Sequence, residues 1–160
     1  MTEAKMNIKT GTINISLAVL LLLFVFAAPA FSGDSWEARI TVAAGDAENK
    51  LSFGQRADAT SGVDGQYDVP ALLAGGVKAW FGNVEGPLWR DIQAGGASWT
   101  LSVEAANNGA KVTLSWDTAK VPSGVKLKDL RSDTVVDMHT TGEFVYTNDG
   151  KRRDIAITAN

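Results

Sequence analysis

Trp99-Thr100-Leu101-Ser102-Val103-Glu104 and, after a short break, Val112-Thr113-Leu114-Ser115-Trp116-Asp117 are the runs whose reading decides the fold. In both, every second residue is apolar and the intervening ones are polar or charged. Successive side chains of a strand point to opposite faces, so this period of two sends one set inward and the other to water. Asn107-Asn108-Gly109 lies between the runs. Asn-Gly is the favoured two-residue hairpin turn because both residues tolerate positive φ, so the two runs are expected to pair.

The same alternation extends outward in both directions. Trp36, Ala38, Ile40 and Val42 share a face opposite Glu37, Arg39 and Thr41. Phe144 and Tyr146, then Asn148-Asp149-Gly150, then Ile155 and Ile157 read as a second hairpin. Shorter strands are expected over 50–54, 77–82, 88–93, 125–130 and 134–138. No window carries a helical period of 3.6. Many short strands with frequent turn signals predict an all-β, two-sheet sandwich of about eight to ten strands. Its core is expected to draw on Trp36, Phe53, Trp99, Leu114, Trp116, Leu127, Phe144 and Ile155. Residues 55–76 are rich in Gly, Ala, Asp and Ser and form a long loop, the kind of segment that carries function or disorder.

The amino terminus reads differently. Lys5 and Lys9 precede an apolar run from Ile13 to Ala28, and Ala28-Pro29-Ala30 supplies a small-x-small cleavage pattern; Ala30-Phe31-Ser32 supplies another. Residues 1–30 are therefore expected to be a signal peptide, with 31–160 a single extracytoplasmic domain, periplasmic, cell-surface or secreted. The strongly apolar stretch from Leu17 to Ala30 is shorter than the ~20 residues a spanning helix needs, and no later segment approaches that length. The chain has no cysteine, which excludes disulfides, thiolate metal sites, thiol nucleophiles and a lipidated junction. Without Lys5, Lys9 and Glu3 it holds 13 basic and 17 acidic side chains, a net charge of −4. Mild acidity argues against nucleic acid as a partner, since phosphates require a basic face.

Several short motifs then fall in one order: Trp36-Glu37-Ala38-Arg39-Ile40, Leu51-Ser52-Phe53-Gly54, and Ala59-Thr60-Ser61-Gly62-Val63-Asp64-Gly65 running into Tyr67-Asp68-Val69-Pro70. Leu88 with Asp91-Ile92, the two alternating runs quoted first, and Val136-Asp137-Met138 follow. This series resembles an immunoglobulin- or fibronectin-like module that recurs in secreted and surface proteins of bacteria, often at the end of larger chains. The resemblance implies an immunoglobulin-like β-sandwich and brings no catalytic residues with it. Where the module carries a proline-rich tract, this chain has Pro70 followed by Ala71-Leu72-Leu73-Ala74-Gly75-Gly76.

Three groups of residues are candidates for a site. Asp58, Asp64 and Asp68 offer hard oxygen ligands for Ca²⁺, although their spacing is not that of an EF-hand. The competing reading, and the favoured one, is that they accept bonds from the loop's own N–H groups in Asx-turns. Trp80 and Trp89 flank the turn 82–87 and alternate onto the faces of Lys78 and Asp91, so Trp80, Trp89 and Asp91 form a candidate ligand surface for a glycan or a protein. The competing reading has the 55–76 loop covering them. His139 is the only histidine, no Gly-x-Ser-x-Gly elbow is present, and Glu85 with Asp91 is the carboxylate pair a glycosidase would use. Lys151-Arg152-Arg153 reads as solvated edge protection more readily than as an anion site.

The expected function is that of a secreted, non-enzymatic binding or structural module without a cofactor. Two alternatives are a filament subunit joined by strand addition, with Phe31–Trp36 as donor, and a small extracytoplasmic hydrolase. Oligomeric state has no signature in the residues.

Overall fold

Every run with period-two alternation forms a strand in the computed structural model, which describes residues 35–159. The leader expected over 1–30 and the proposed donor residues before Ser35 lie outside the described residues. The strands are β1 (Trp36–Ala44), β2 (Ala47–Gln55), β3 (Val69–Pro70), β4 (Val77–Asn83), β5 (Gly86–Gln93), β6 (Ser98–Ala105), β7 (Lys111–Trp116), β8 (Lys126–Asp129), β9 (Val135–Asp137), β10 (Glu143–Thr147) and β11 (Arg153–Thr158). The described residues hold no α-helix, only a 3-10 turn at Thr118–Lys120 whose first free N–H, that of Ala119, donates to the Asp117 carboxylate at 3.0 Å. The domain is all-β. The one short strand beyond the expected number, β3, sits inside the long loop.

Hydrogen bonding runs through one continuous sheet in the order β10-β7-β1-β2-β5-β4-β6-β11-β8-β9, with β3 attached to β5. All ladders are antiparallel except β2 with β5. The β5 register explains the continuity. Leu88 pairs with Phe81 on one flank and Pro70 on the other, and Arg90 pairs with Ser52 and Val69. Since β3 holds one flank, β4 and β2 share the opposite one, β4 along the first half of β5 and β2 along the second.

Neither expected hairpin forms. β6 pairs with β4 and β11, whereas β7 pairs with β1 and β10, so the Asn107–Gly109 segment is a crossover. The same holds for Asn148–Gly150, since β10 pairs with β7 alone and β11 with β6 and β8. A type I′ turn needs positive φ at both central residues, and here only Gly109 (φ 80) has it. The two crossovers instead bond each other. Asn148 donates through Nδ2 to the carbonyls of Ala105 (3.0 Å) and Asn107 (2.7 Å), and accepts at its own carbonyl from Gly109 N–H at 2.7 Å. The consecutive strands that do pair turn at Gly45-Asp46 (β1–β2), at Val84-Glu85 (β4–β5) and across residues 130–134 (β8–β9). Gly45, at φ 60, supplies the left-handed residue the first turn requires.

The core centres on aromatic rings from β1, β2, β4 and β6. Trp36 and Phe53 meet edge to face at 5.3 Å between ring centroids, and Trp99 lies 5.2 Å from Phe53 and 5.9 Å from Trp36. Phe81 completes the group at 5.9 Å from Phe53. Such aromatic pairs contribute about 0.5–1.5 kcal/mol each beyond the area they bury. The indole N–H groups are satisfied by Gln55 Oε1 for Trp36, the Asp91 carbonyl for Trp99 and the Met138 carbonyl for Trp116. Trp36 is thus committed within its own chain.

Among the described residues one ion pair is largely enclosed. Asp129 is 0% exposed and receives Arg153 in a two-pronged contact, Nε to Oδ1 at 2.9 Å and Nη2 to Oδ2, while Arg131 N–H and Ser132 Oγ donate to the same carboxylate. Arg153 also lies 4.7 Å over the Tyr146 ring. Burial alone would push the Asp129 carboxyl up, but Arg153, Ser132 and the Arg131 amide together hold it below its ordinary range. Removing one member strands the other charge. Asp129→Ala is expected to cost about 3–5 kcal/mol in urea denaturation at pH 7. A carboxyl lowered in the folded state stabilises above its unfolded value near 3.9 and ceases to as pH falls through the folded one. The deficit of Asp129→Ala should therefore shrink on acidification below about pH 4; a deficit that is independent of pH contradicts the ion pair.

Candidate ligand-binding site

The 55–76 loop is fastened to β5 along most of its length. Arg56 N–H donates to the Gln93 carbonyl at 3.0 Å, Ile92 N–H to Asp68 Oδ1 at 2.8 Å, and Ala71 N–H to the Pro87 carbonyl at 2.9 Å. Arg90 grips from the other side. It forks onto Glu37 with Nε to Oε1 at 3.0 Å and Nη2 to Oε2 at 2.7 Å, and its Nη1 reaches the Tyr67 carbonyl at 2.7 Å. The Arg90 contact holds the Glu37 carboxyl below its ordinary range. Ala59, Tyr67 and Ile92 form a small apolar cluster beneath the loop, with Arg56 stacked 4.9 Å over the Tyr67 ring. The loop is a covering element.

The three candidate Ca²⁺ ligands have separate duties in that cover. Asp58 accepts from the Tyr67 hydroxyl and from Arg56 Nε at 3.2 Å, and these bonds hold its carboxyl low. Asp64 accepts Gln66 N–H at 3.0 Å in an Asx-turn. Asp68 is 6% exposed and accepts Asp64 N–H at 2.6 Å besides Ile92 N–H. No group of three or more His, Asp or Glu side chains among the described residues is arranged to hold a metal ion.

The three residues of the candidate ligand surface part company. Trp89 lines an open cleft of 360 Å³ with Glu48, Asn49 and Lys50 of β2 and with Leu72 and Ala74 of the loop. It lies where β5 passes from β4 to β2, so the unpaired flank of β2 faces it. Trp80 is half-buried and sits beside Ser102 of β6, outside this cleft. The β4–β5 ladder ends at Phe81 and Leu88, one pair short of bringing the two indoles together. Asp91 is a correction to the outward face read from alternation. It is 2% exposed, because both faces of β5 are covered here: Ile92 lies beneath the loop, and Asp91 is aligned with buried Phe53.

Leu72 is the residue that alternation misses. It is 71% exposed on a loop strap over Trp89, and a bulky apolar pair, Leu72-Leu73, in an otherwise small and polar loop was its signal. A second cleft, of 280 Å³, adjoins the strap and is lined by Gly75, Gly76, Lys78, Glu104, Ala105, Ala106, Gly150, Lys151 and Arg152. The Lys151-Arg152-Arg153 step divides here: Arg153 turns inward to Asp129, and the other two face this cleft.

His139 is exposed, and its Nδ1 lies 2.7 Å from the Val121 carbonyl. Glu85 is exposed at the β4–β5 turn while Asp91 is enclosed. With this geometry in place, no family model, no curated protein and no solved structure matches the chain.

Asp91 has a measurable consequence. Burial raises its carboxyl to about 6, opposed by the Gln93 amide at 3.2 Å and reinforced by Asp68, and Oδ1 has no partner among the described residues. A folded value above the unfolded ~3.9 means that stability declines as pH rises between the two. Asp91→Asn is expected to remove that decline and stabilise the protein at pH 7 by up to about 3 kcal/mol, read from thermal melts across pH 4–7. A loss of stability at pH 7 contradicts the assignment.

Proposed function

We propose that the chain is a secreted, non-enzymatic binding module of the immunoglobulin-like β-sandwich type, taking a glycan or a protein segment outside the cytoplasm. The divided flank of β5 supports the two-layer reading, because a strand that changes partners is how one sheet turns a corner into another. On that basis β10-β7-β1-β2 forms one layer and β4-β6-β11-β8-β9 the other. The composition of residues 1–30 supports export.

The observation that carries the binding reading is the cleft at Trp89. An aromatic floor, a highly exposed leucine on its rim and a short polar wall of Glu48, Asn49 and Lys50 are what a ligand with alternating apolar and hydroxyl faces requires. Glu48 and Lys50 pair with each other at 2.8 Å and present both signs of charge along that wall. Chemistry on a bound ligand would need a poised acid, base or nucleophile in the cleft, and the wall offers one exposed carboxylate.

A glycan array probed with the purified protein tests this reading. Trp89→Ala and Leu72→Ser are expected to lower the signal on bound glycans by about thirtyfold, as loss of a central anchor does. Leu72 is exposed, so its variant separates lost binding from lost folding. Equal signal from wild type and both variants removes this cleft as the site.

A further inference from the structure

We propose that the ligand is an acidic polysaccharide, its sugar rings against the Trp89 cleft and its anionic groups in the neighbouring cleft of Lys78, Lys151 and Arg152; this rests on the binding reading above. The clefts share one wall. Leu72 and Ala74 line the first and Gly75 and Gly76 the second, so consecutive residues of the strap face different cavities. Gly75, at φ 94, takes the left-handed conformation that turns the chain from one to the other. A polymer following the strap therefore meets both.

The second cleft is locally basic on an acidic protein. Three cations line it against one carboxylate, Glu104, which lies 3.9 Å from Lys78, at the limit of an ion pair. Arg152 bonds Asp154 at 3.0 Å, and no carboxylate among the described residues pairs with Lys151. The Lys78 side chain is 40% and that of Arg152 56% exposed, so both charges stay hydrated and reachable. The rest of the lining is Gly and Ala, which keeps the floor open. In the β4–β6 ladder Lys78 is opposite Glu104, two positions from Trp80 and Ser102. The net charge of the whole chain, −3, opposes an anion. Attraction therefore has to be local, and salt screens such attraction over about 10 Å.

The test is calorimetric titration of the purified protein with polygalacturonate, neutral dextran and poly-glutamate. Polygalacturonate is expected to bind, to weaken as salt rises, and to lose at least tenfold in affinity with Lys151→Glu, with Lys78→Glu and with Leu72→Ser, each at unchanged thermal melting. Dextran bound as tightly as polygalacturonate, with both charge reversals silent, overturns the acidic class and leaves the Trp89 cleft standing. Poly-glutamate bound as tightly, with Leu72→Ser silent, overturns the saccharide in favour of an acidic peptide. Failure of all three polymers, together with unaltered glycan-array signals for the Trp89 and Leu72 variants, overturns the binding reading itself.

Discussion

Strand β5 has one flank occupied by β3 and must divide the other between β4 and β2. Much of the domain follows from that constraint. The division links two groups of strands into one hydrogen-bonded sheet, and the aromatic rings of Trp36, Phe53, Phe81 and Trp99 pack against one another. It also covers both faces of the second half of β5. Ile92, on the alternation face of Leu88, packs beneath the loop with Ala59 and Tyr67, while its neighbour Asp91, aligned with Phe53, is enclosed on the other face. A buried carboxylate is the cost of that double cover, and the Gln93 amide relieves it only in part.

Strands were legible in the residues because burial on one face writes a period of two into a chain, and Trp36–Val42, Trp99–Val103 and Val112–Trp116 carry it clearly. Strand partners were not. An Asn-Gly pair permits a tight turn without compelling one, and here both edges of β6 are taken by β4 and β11 and both edges of β7 by β1 and β10. The crossover then uses its polar residues to bond the second crossover through Asn148, a contact between segments some forty residues apart that no local pattern records. The parallel ladder of β2 with β5 was hidden for the same reason.

Of the candidate site, Trp89 was legible as an aromatic on the polar side of its strand, and the acidic residues of the loop were legible as turn-formers. The position of Asp91 was not, since alternation presumes a strand that keeps the same neighbours throughout. Nor was the strap. Residues 71–76 have little local signature, yet they pass between two clefts and give each a wall, one aromatic and one basic. The loop holds its place through Arg90, which links β1, β5 and the Tyr67 carbonyl in one set of hydrogen bonds. The proposed recognition surface thus depends on the same strand as the core does.

Proton–proton Overhauser contacts between strand backbones test the divided flank of β5 most directly. The account predicts cross-strand contacts from Arg90 to both Ser52 of β2 and Val69 of β3, from Leu88 to Phe81, from Leu114 to Val42 and Phe144, and from Leu101 to Phe81 and Ile155. A continuous ladder of contacts between β6 and β7, or β5 paired with β4 along its whole length, would contradict it.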